Sequence, residues 1–328
     1  MPVTIYHVNE RSMSHDYVIS VDLGGTNLRV GAVRDDGLIE EREKRSSEAK
    51  ATTSEILQNI EEAIRTIVRR LEEKQKTIRG ITLGFPGIVD SEKGIVYQSP
   101  HFPDWKNLVF VDYFRKKFPW PIKASNDANL AALGESWLGA GKGLKNFVMM
   151  TLGTGIGGGI MIDGKIFHGD HGFAGEIGHI VIEAEGHECP CGSRGCLEMY
   201  VSTLGIRKLI ETADDVLRKE QLLERVGGNL DKITVQALYE LAREGDILAH
   251  STFKKMGYYL GIGLATLVNT LGIENFVIGG GISEAWDFFV EVAKKELAAR
   301  TYSETARYVK LLKAQLGDDA GLIGGARF

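Results

Sequence analysis

Apolar and polar positions follow two periods along this chain, and the switches between them outline its elements. Residues 17–22, YVISVD, form an apolar, β-branched run ending in an acid. Gly24-Gly25-Thr26 follow, then a second extended run over 28–33, closed by the turn residues Asp35-Asp36-Gly37. This pattern predicts strand, glycine turn, strand. Between 52 and 73 the period becomes helical: Ile56, Ile60, Ile64, Ile67, Val68 and Leu71 share one face, and Thr52 with Glu55 has the spacing of a capping box. Residues 78–83 read as a buried strand stopped by Gly84-Phe85-Pro86-Gly87, where two glycines and a proline turn the chain.

A second module opens near residue 126. Residues 146–152 predict another buried strand, Gly153-Thr154-Gly155 another glycine turn, and 157–162 another returning strand, turned by Asp163-Gly164. The opening of the first module thus recurs about 130 residues later. Helical spacing covers about 202–222 and 234–243. The apolar stretch 256–273 approaches membrane-span length, but it carries Asn269 and four glycines and reads as a buried helix. A strand at 275–278 runs into Gly279-Gly280-Gly281, and the tail, 318–326, has a small-residue helical pattern. We infer two α/β lobes with mixed sheets, each opening with a glycine-turn hairpin.

With 328 residues, 43% of them apolar and 25% charged, the chain can bury a substantial core and is not disordered. A net charge of -5 with no long single-sign run points away from nucleic acid and anionic membranes and toward small-molecule work. The N-terminal residues 1–16 are polar and lack the apolar stretch of a secretory signal, so the expected location is cytoplasmic. Three cysteines cannot close a disulfide framework.

The glycine turns suggest chemistry. Residues 153–158, GTGIGG, match the dinucleotide pattern G-x-G-x-x-G, but a strand follows where that motif needs a helix, and no P-loop sequence is present. A glycine turn between strands can still bind phosphate through unshielded backbone N–H groups and a threonine hydroxyl. Two such turns would grip a polyphosphate, and Asp22 beside the first suits a magnesium ion. Ser125-Asn126-Asp127 stands where an extended run gives way to a helix at 128–138, a position that fits either a general base or a helix cap. Cys189, Cys191 and Cys196 form Cys-x-Cys-x₄-Cys, three thiolates within reach of one zinc ion, with His179 or His187 available as a fourth ligand.

The segments DLGGTNLRVG at 22–31, LGTGIGGG at 152–159 and FVIGGGIS at 276–283 resemble the two phosphate segments and the adenosine segment of the superfamily of sugar kinases, heat-shock protein 70 and actin. GFAGEIGHI at 172–180, followed by CPCGSRGCLE at 189–198, is similar to the signature of its ROK branch (repressors, open reading frames, kinases), and most similar to bacterial glucokinases. The resemblance implies two actin-like (ribonuclease H-like) α/β lobes around a cleft: an extension at 1–16, a small lobe of 17–125 with about 312–328, and a large lobe of 126–311 containing a zinc loop. It implies ATP-dependent phosphorylation of a hexose, most readily glucose, with N-acetylmannosamine, N-acetylglucosamine or fructose as alternatives, by a homodimer.

On the same basis ATP and Mg²⁺ would lie against Asp22, Gly24, Gly25, Thr26, Asn27, Gly153, Thr154, Gly155 and Gly280. Asp127 would be the general base. Gly87, Asn126, Asp127, Glu176, His179 and Glu198 would hold the sugar, and His179, Cys189, Cys191 and Cys196 a structural zinc. That zinc would splint Glu176 and Glu198, while the nucleotide turns, elsewhere in the chain, would not need it. The family also holds sugar-sensing repressors with an N-terminal winged helix-turn-helix; only 21 residues precede Asp22 here, too few for such a domain. One departure stands out. The loop SPHFPDW, 99–105, has His101 and Phe102 where many relatives carry a small amide and a leucine, and that loop borders the sugar in the family.

Overall fold

The computed structural model describes residues 15–328. Its first half runs β1 (Asp16–Leu23), β2 (Asn27–Arg34), β3 (Ile39–Ser46), α1 (Thr53–Glu73), β4 (Thr77–Phe85), the short strands β5 (Ile88–Asp90), β6 (Ile95–Gln98) and β7 (Lys106–Val109), then α2 (Phe110–Arg115), β8 (Ile122–Asn126) and α3 (Asp127–Leu138). The second half runs β9 (Phe147–Leu152), β10 (Ile156–Ile162), β11 (Lys165–Ile166), α4 (Glu198–Val201), α5 (Thr203–Glu211), α6 (Val216–Arg225), α7 (Val235–Arg243), α8 (Ile247–Leu271), β12 (Asn275–Gly279), α9 (Trp286–Arg300), β13 (Lys310–Lys313) and α10 (Ala320–Arg327).

Two five-stranded sheets carry these elements, ordered β3-β2-β1-β4-β8 and β11-β10-β9-β12-β13. They match strand for strand: an antiparallel hairpin with a third antiparallel strand on one edge, and two parallel strands on the other. The repeat read from the glycine turns is therefore a repeat of whole sheets. A third sheet, β5-β6-β7, stands beside the first.

Alternation along β1 sets the layers. Tyr17, Ile19, Val21 and Leu23 point into a core shared with Ile56, Ile60, Ile64, Ile67 and Leu71 of α1, the stripe the helical spacing predicts. Thr52 and Glu55 form the expected capping box. The opposite face of β1 meets α10 so closely that a methyl group on Gly325 would lie 1.9 Å from Ser20 Oγ. The small residues of the tail allow this contact, which brings the C-terminus back to the first sheet. Glu135 of α3 holds the crossing, accepting from the backbone N–H groups of Gln315 and Leu316 at 2.9 and 2.8 Å. Because β13 stays in the second sheet through Lys313, the crossing lies slightly beyond 312.

Three details differ from the sequence pattern. The run at 202–222 is broken into α5 and α6, and the long apolar helix begins at Ile247, where the Asp246 side chain accepts from the Ala249 N–H at 2.9 Å. Strand β3, IEEREKRS, has no apolar alternation; as the outer strand it keeps a charged surface, with Glu43 paired to Arg70 of α1 at 3.0 Å. Among the described residues no helix is long and apolar enough to cross a membrane.

Candidate active site

The two glycine turns, Gly87, Asn126-Asp127 and Gly280 follow the C-terminal ends of β1, β9, β4, β8 and β12, the usual ligand edge of an open α/β sheet, whereas Glu176, His179, the cysteines and Glu198 come from the segment between β11 and α5. Asn126 ends β8 and caps α3: its Oδ1 accepts from the Asn129 N–H at 3.1 Å, while its Nδ2 donates to the Gly87 carbonyl at 2.9 Å. The capping role thus falls to Asn126. Asp127, the first helical residue, has Oδ1 accepting from the Ala128 N–H at 2.8 Å and no salt-bridge partner among the described residues. Burial, then the charges of Asp22 and Glu176, push its carboxyl up to about 7, against the opposing pull of backbone N–H groups. Asp127 is only partly exposed, and desolvation is the largest of these effects.

Asp22 is close enough for its charge to act on Asp127, but it has a partner the sequence reading missed. Arg29 donates to Asp22 at 3.2 Å and to Asp318 at 2.6 Å. The hairpin register pairs position 22 with 29, so counting across the Gly24–Thr26 turn could have found it. Burial still holds the Asp22 carboxyl above its ordinary range.

Both glycine turns are pinned by neighbours. In the first, Gly24 N–H donates to the Asn27 carbonyl at 2.8 Å, and Ser47 donates through N–H to Thr26 O at 3.0 Å and through Oγ to Gly25 O at 2.8 Å. His101 lies directly on this turn, since a methyl group on Gly25 would sit 2.8 Å from its Nδ1. Burial keeps that imidazole below its ordinary pKa, against the charge of Glu198. In the second turn Gly153 O accepts from both N–H and Oγ1 of Thr203, at 2.8 and 3.0 Å. Thr26 and Thr154 are exposed at the two tips. Gly280, with φ of 83°, follows β12 and presses on the carbonyl of Leu152 at the end of β9.

Glu198 joins the second turn to the cysteine loop. Its Oε2 accepts from the Ile156 N–H at 2.8 Å and would lie 2.5 Å from a methyl group on Gly155. The second glycine turn lies elsewhere in the chain from the cysteine loop but is in contact with its end: Glu198, two residues beyond Cys196, touches the 153–155 turn.

Glu176 and His179 bracket a short 3₁₀ turn, Ile177–His179. The His179 ring has two faces of use: Nδ1 lies 3.7 Å from Cys189 Sγ, and Nε2 lies 3.9 Å from Glu176 Oε2. Burial, with the Glu198 charge, raises the Glu176 carboxyl, and His179 opposes. Cys191 Sγ and Cys196 Sγ are 3.7 Å apart, and one donor atom each from His179, Cys189, Cys191 and Cys196 fall within 4.8 Å of one another. A tetrahedron with zinc bond lengths has edges of about 3.6–3.8 Å, so the set fits that ion. Burial pushes the Cys189 thiol up to about 12, a cost that a bound cation would offset. His187 is outside the set; its N–H donates to Tyr200 Oη at 3.0 Å and its ring stacks on that tyrosine.

No hydrogen bond among the described residues joins Asp127 to Glu176, His179 or Glu198; the charge of Glu176 acts on Asp127, and those of His179 and Glu198 act on Glu176. The arrangement has an unpaired carboxylate near neutrality, two backbone-rich turns and a ring of polar side chains.

The fold is of the two-lobe, actin-like class. Residues 18–328 match the model of the ROK family, and the chain belongs to that family. It is 36% identical over 314 residues, 95% of its length and 94% of the relative's, to a glucokinase of Halalkalibacterium halodurans. It is also similar to a solved ROK family glucokinase from Streptomyces griseus in complex with glucose and AMPPNP, with a TM-score of 0.82, 32% identity, and 95% and 98% of the two chains covered. A xylose repressor of Caldicellulosiruptor bescii is 29% identical over 94% of this chain and 76% of its own.

Proposed function

We propose that this chain is an ATP-dependent hexose kinase whose preferred acceptor is glucose, working as a cytoplasmic homodimer. The observation that carries this reading is the Asp127 carboxylate, freed from capping by Asn126 and held up to about 7 by burial beside Asp22 and Glu176. Asn126, Asp127, Glu176, His179 and Glu198 offer the carboxylate, amide and imidazole groups that adjacent sugar hydroxyls need, and the Gly87 carbonyl is fixed by Asn126. Asp127 takes the proton of the attacking hydroxyl as its oxygen bonds to the γ-phosphorus and the bond to the ADP oxygen breaks. The N–H groups of 24–27 and 153–155, with the exposed hydroxyls of Thr26 and Thr154, would cradle the phosphates, and Gly280 would border the adenosine. A magnesium ion, neutralising phosphate charge, would be held from the side of Asp22. A zinc ion on His179, Cys189, Cys191 and Cys196 would fix the loop carrying Glu176 and Glu198.

Similarity to a xylose repressor supports a second reading, a sugar sensor without turnover. A coupled ADP-release assay with glucose, fructose, N-acetylglucosamine and N-acetylmannosamine separates the two. Glucose should give the highest kcat/KM. An N-acetylated hexosamine ahead by tenfold, about 1.4 kcal/mol of transition-state preference, would contradict the glucose assignment, and sugar binding without ADP release from any of the four would favour the sensor.

A further inference from the structure

An open cavity of about 650 Å³ lies on the α1 side of the first sheet, where Arg45, Arg65, Arg69, Lys117, Phe118 and Trp120 line it. Ser20 and Asp22 face α10 on the opposite side, so the sheet separates this cavity from Asp22. Its volume falls within the roughly 300–1,000 Å³ of small-molecule pockets. The lining has four cations against two carboxylates, Glu62 and Glu72, in a chain whose net charge is -5.

Most of those cations are only partly neutralised. Glu61 serves two of them, Arg65 at 2.8 Å and Lys117 at 3.4 Å. Arg45 is the exception, with two carboxylates, Glu43 and Glu62, at 3.2 and 3.3 Å. Arg69 has no carboxylate within ion-pair reach among the described residues; it makes two long bonds, to the Arg65 carbonyl at 3.4 Å and Thr66 Oγ1 at 3.5 Å. Trp120, half-buried, forms a flat apolar wall. Guanidinium groups match the paired oxygens of a phosphate, and an aromatic face suits the body of the molecule that carries it.

We propose that this cavity binds a phosphorylated small molecule, with the phosphate on Arg69, Arg65 and Lys117 and the body against Trp120. Two stretches of chain link it to the cleft. Arg45 stands two residues before Ser47, which holds the carbonyls of Gly25 and Thr26. Trp120 leads through Pro121 into β8, which ends at Asn126. Occupancy is therefore placed to bias the first phosphate turn and the base; that coupling rests on the kinase reading, whereas binding itself does not.

The test is calorimetric titration of the full chain with inorganic phosphate and with glucose 6-phosphate, in saturating glucose and AMPPNP so that the cleft is filled. One site per chain is expected, with the ester bound several-fold more tightly than free phosphate. Arg69→Ala should weaken binding at least tenfold and Lys117→Ala several-fold, while Lys294→Ala on distant α9 changes nothing. All three side chains are exposed, and circular dichroism would verify their folds. No binding of either probe, or binding unmoved by Arg69→Ala, would overturn the site. Equal affinity for the two probes would overturn the ester assignment, and displacement by a short DNA duplex that depends on Arg69 would replace it with a polyanion surface.

Discussion

Asp127 shows how one residue's role depends on its neighbour. From sequence, both Asn126 and Asp127 could cap α3; the hydrogen bond from Asn129 N–H to Asn126 Oδ1 settles the cap, and Asp127 keeps a free oxygen. Because its folded carboxyl sits at about 7 and an unfolded one near 3.9, the folded state binds the proton more tightly. The sign follows: whatever stability Asp127 contributes is present below about pH 4 and is lost as pH rises through 7. Asp127→Asn should therefore raise Tm more at pH 8 than at pH 5. In the active enzyme kcat/KM should climb with pH along a limb of apparent pKa about 7, as expected of a general base in the free protein. A rate flat from pH 5.5 to 8.5 would mean that Asp127 does not accept the proton. Arg29 illustrates a residue that single positions do not reveal, since it becomes Asp22's partner only through hairpin register.

At the scale of elements, legibility followed burial. Strands β1, β2, β9 and β10 and helix α1 carry strong apolar periods because each buries one face, and their glycine turns are where the pattern placed them. Strand β3 escaped because its side chains are charged, and β5, β6 and β7 are only three or four residues long among turn residues. The cysteine loop was legible as a cluster, but its bond to the second glycine turn was not, since 42 residues separate Ile156 from Glu198. With zinc held as proposed, that bond extends the expected effect of its loss to the second glycine turn. Cys191→Ala, or stripping with a strong chelator, should weaken glucose binding severely and ATP binding by a smaller but measurable factor, whereas His187→Ala should do little to either. Elemental analysis with glucose and nucleotide titrations checks this. Undiminished glucose affinity in a zinc-free sample would show that the loop does not order the sugar site.

For the whole molecule, the repeated glycine-turn hairpins disclosed two matching sheets, while the return of α10 to β1 was hinted at only by small residues whose reason is the 1.9 Å approach at Gly325. The loop at 99–105 lay beyond what pattern could place; packing sets His101 on Gly25 and within the field of Glu198, bridging groups from the two sheets. In the kinase reading these parts serve proton removal by Asp127 during phosphoryl transfer to a hexose. The decisive experiment is the rate of ADP formation by Asp127→Asn at saturating glucose and ATP, with glucose affinity determined on the same sample. The variant keeps the side chain's shape and loses the proton acceptor, so kcat should fall at least about 10²-fold while glucose affinity changes far less; turnover within a few-fold of the parent protein would contradict the claim.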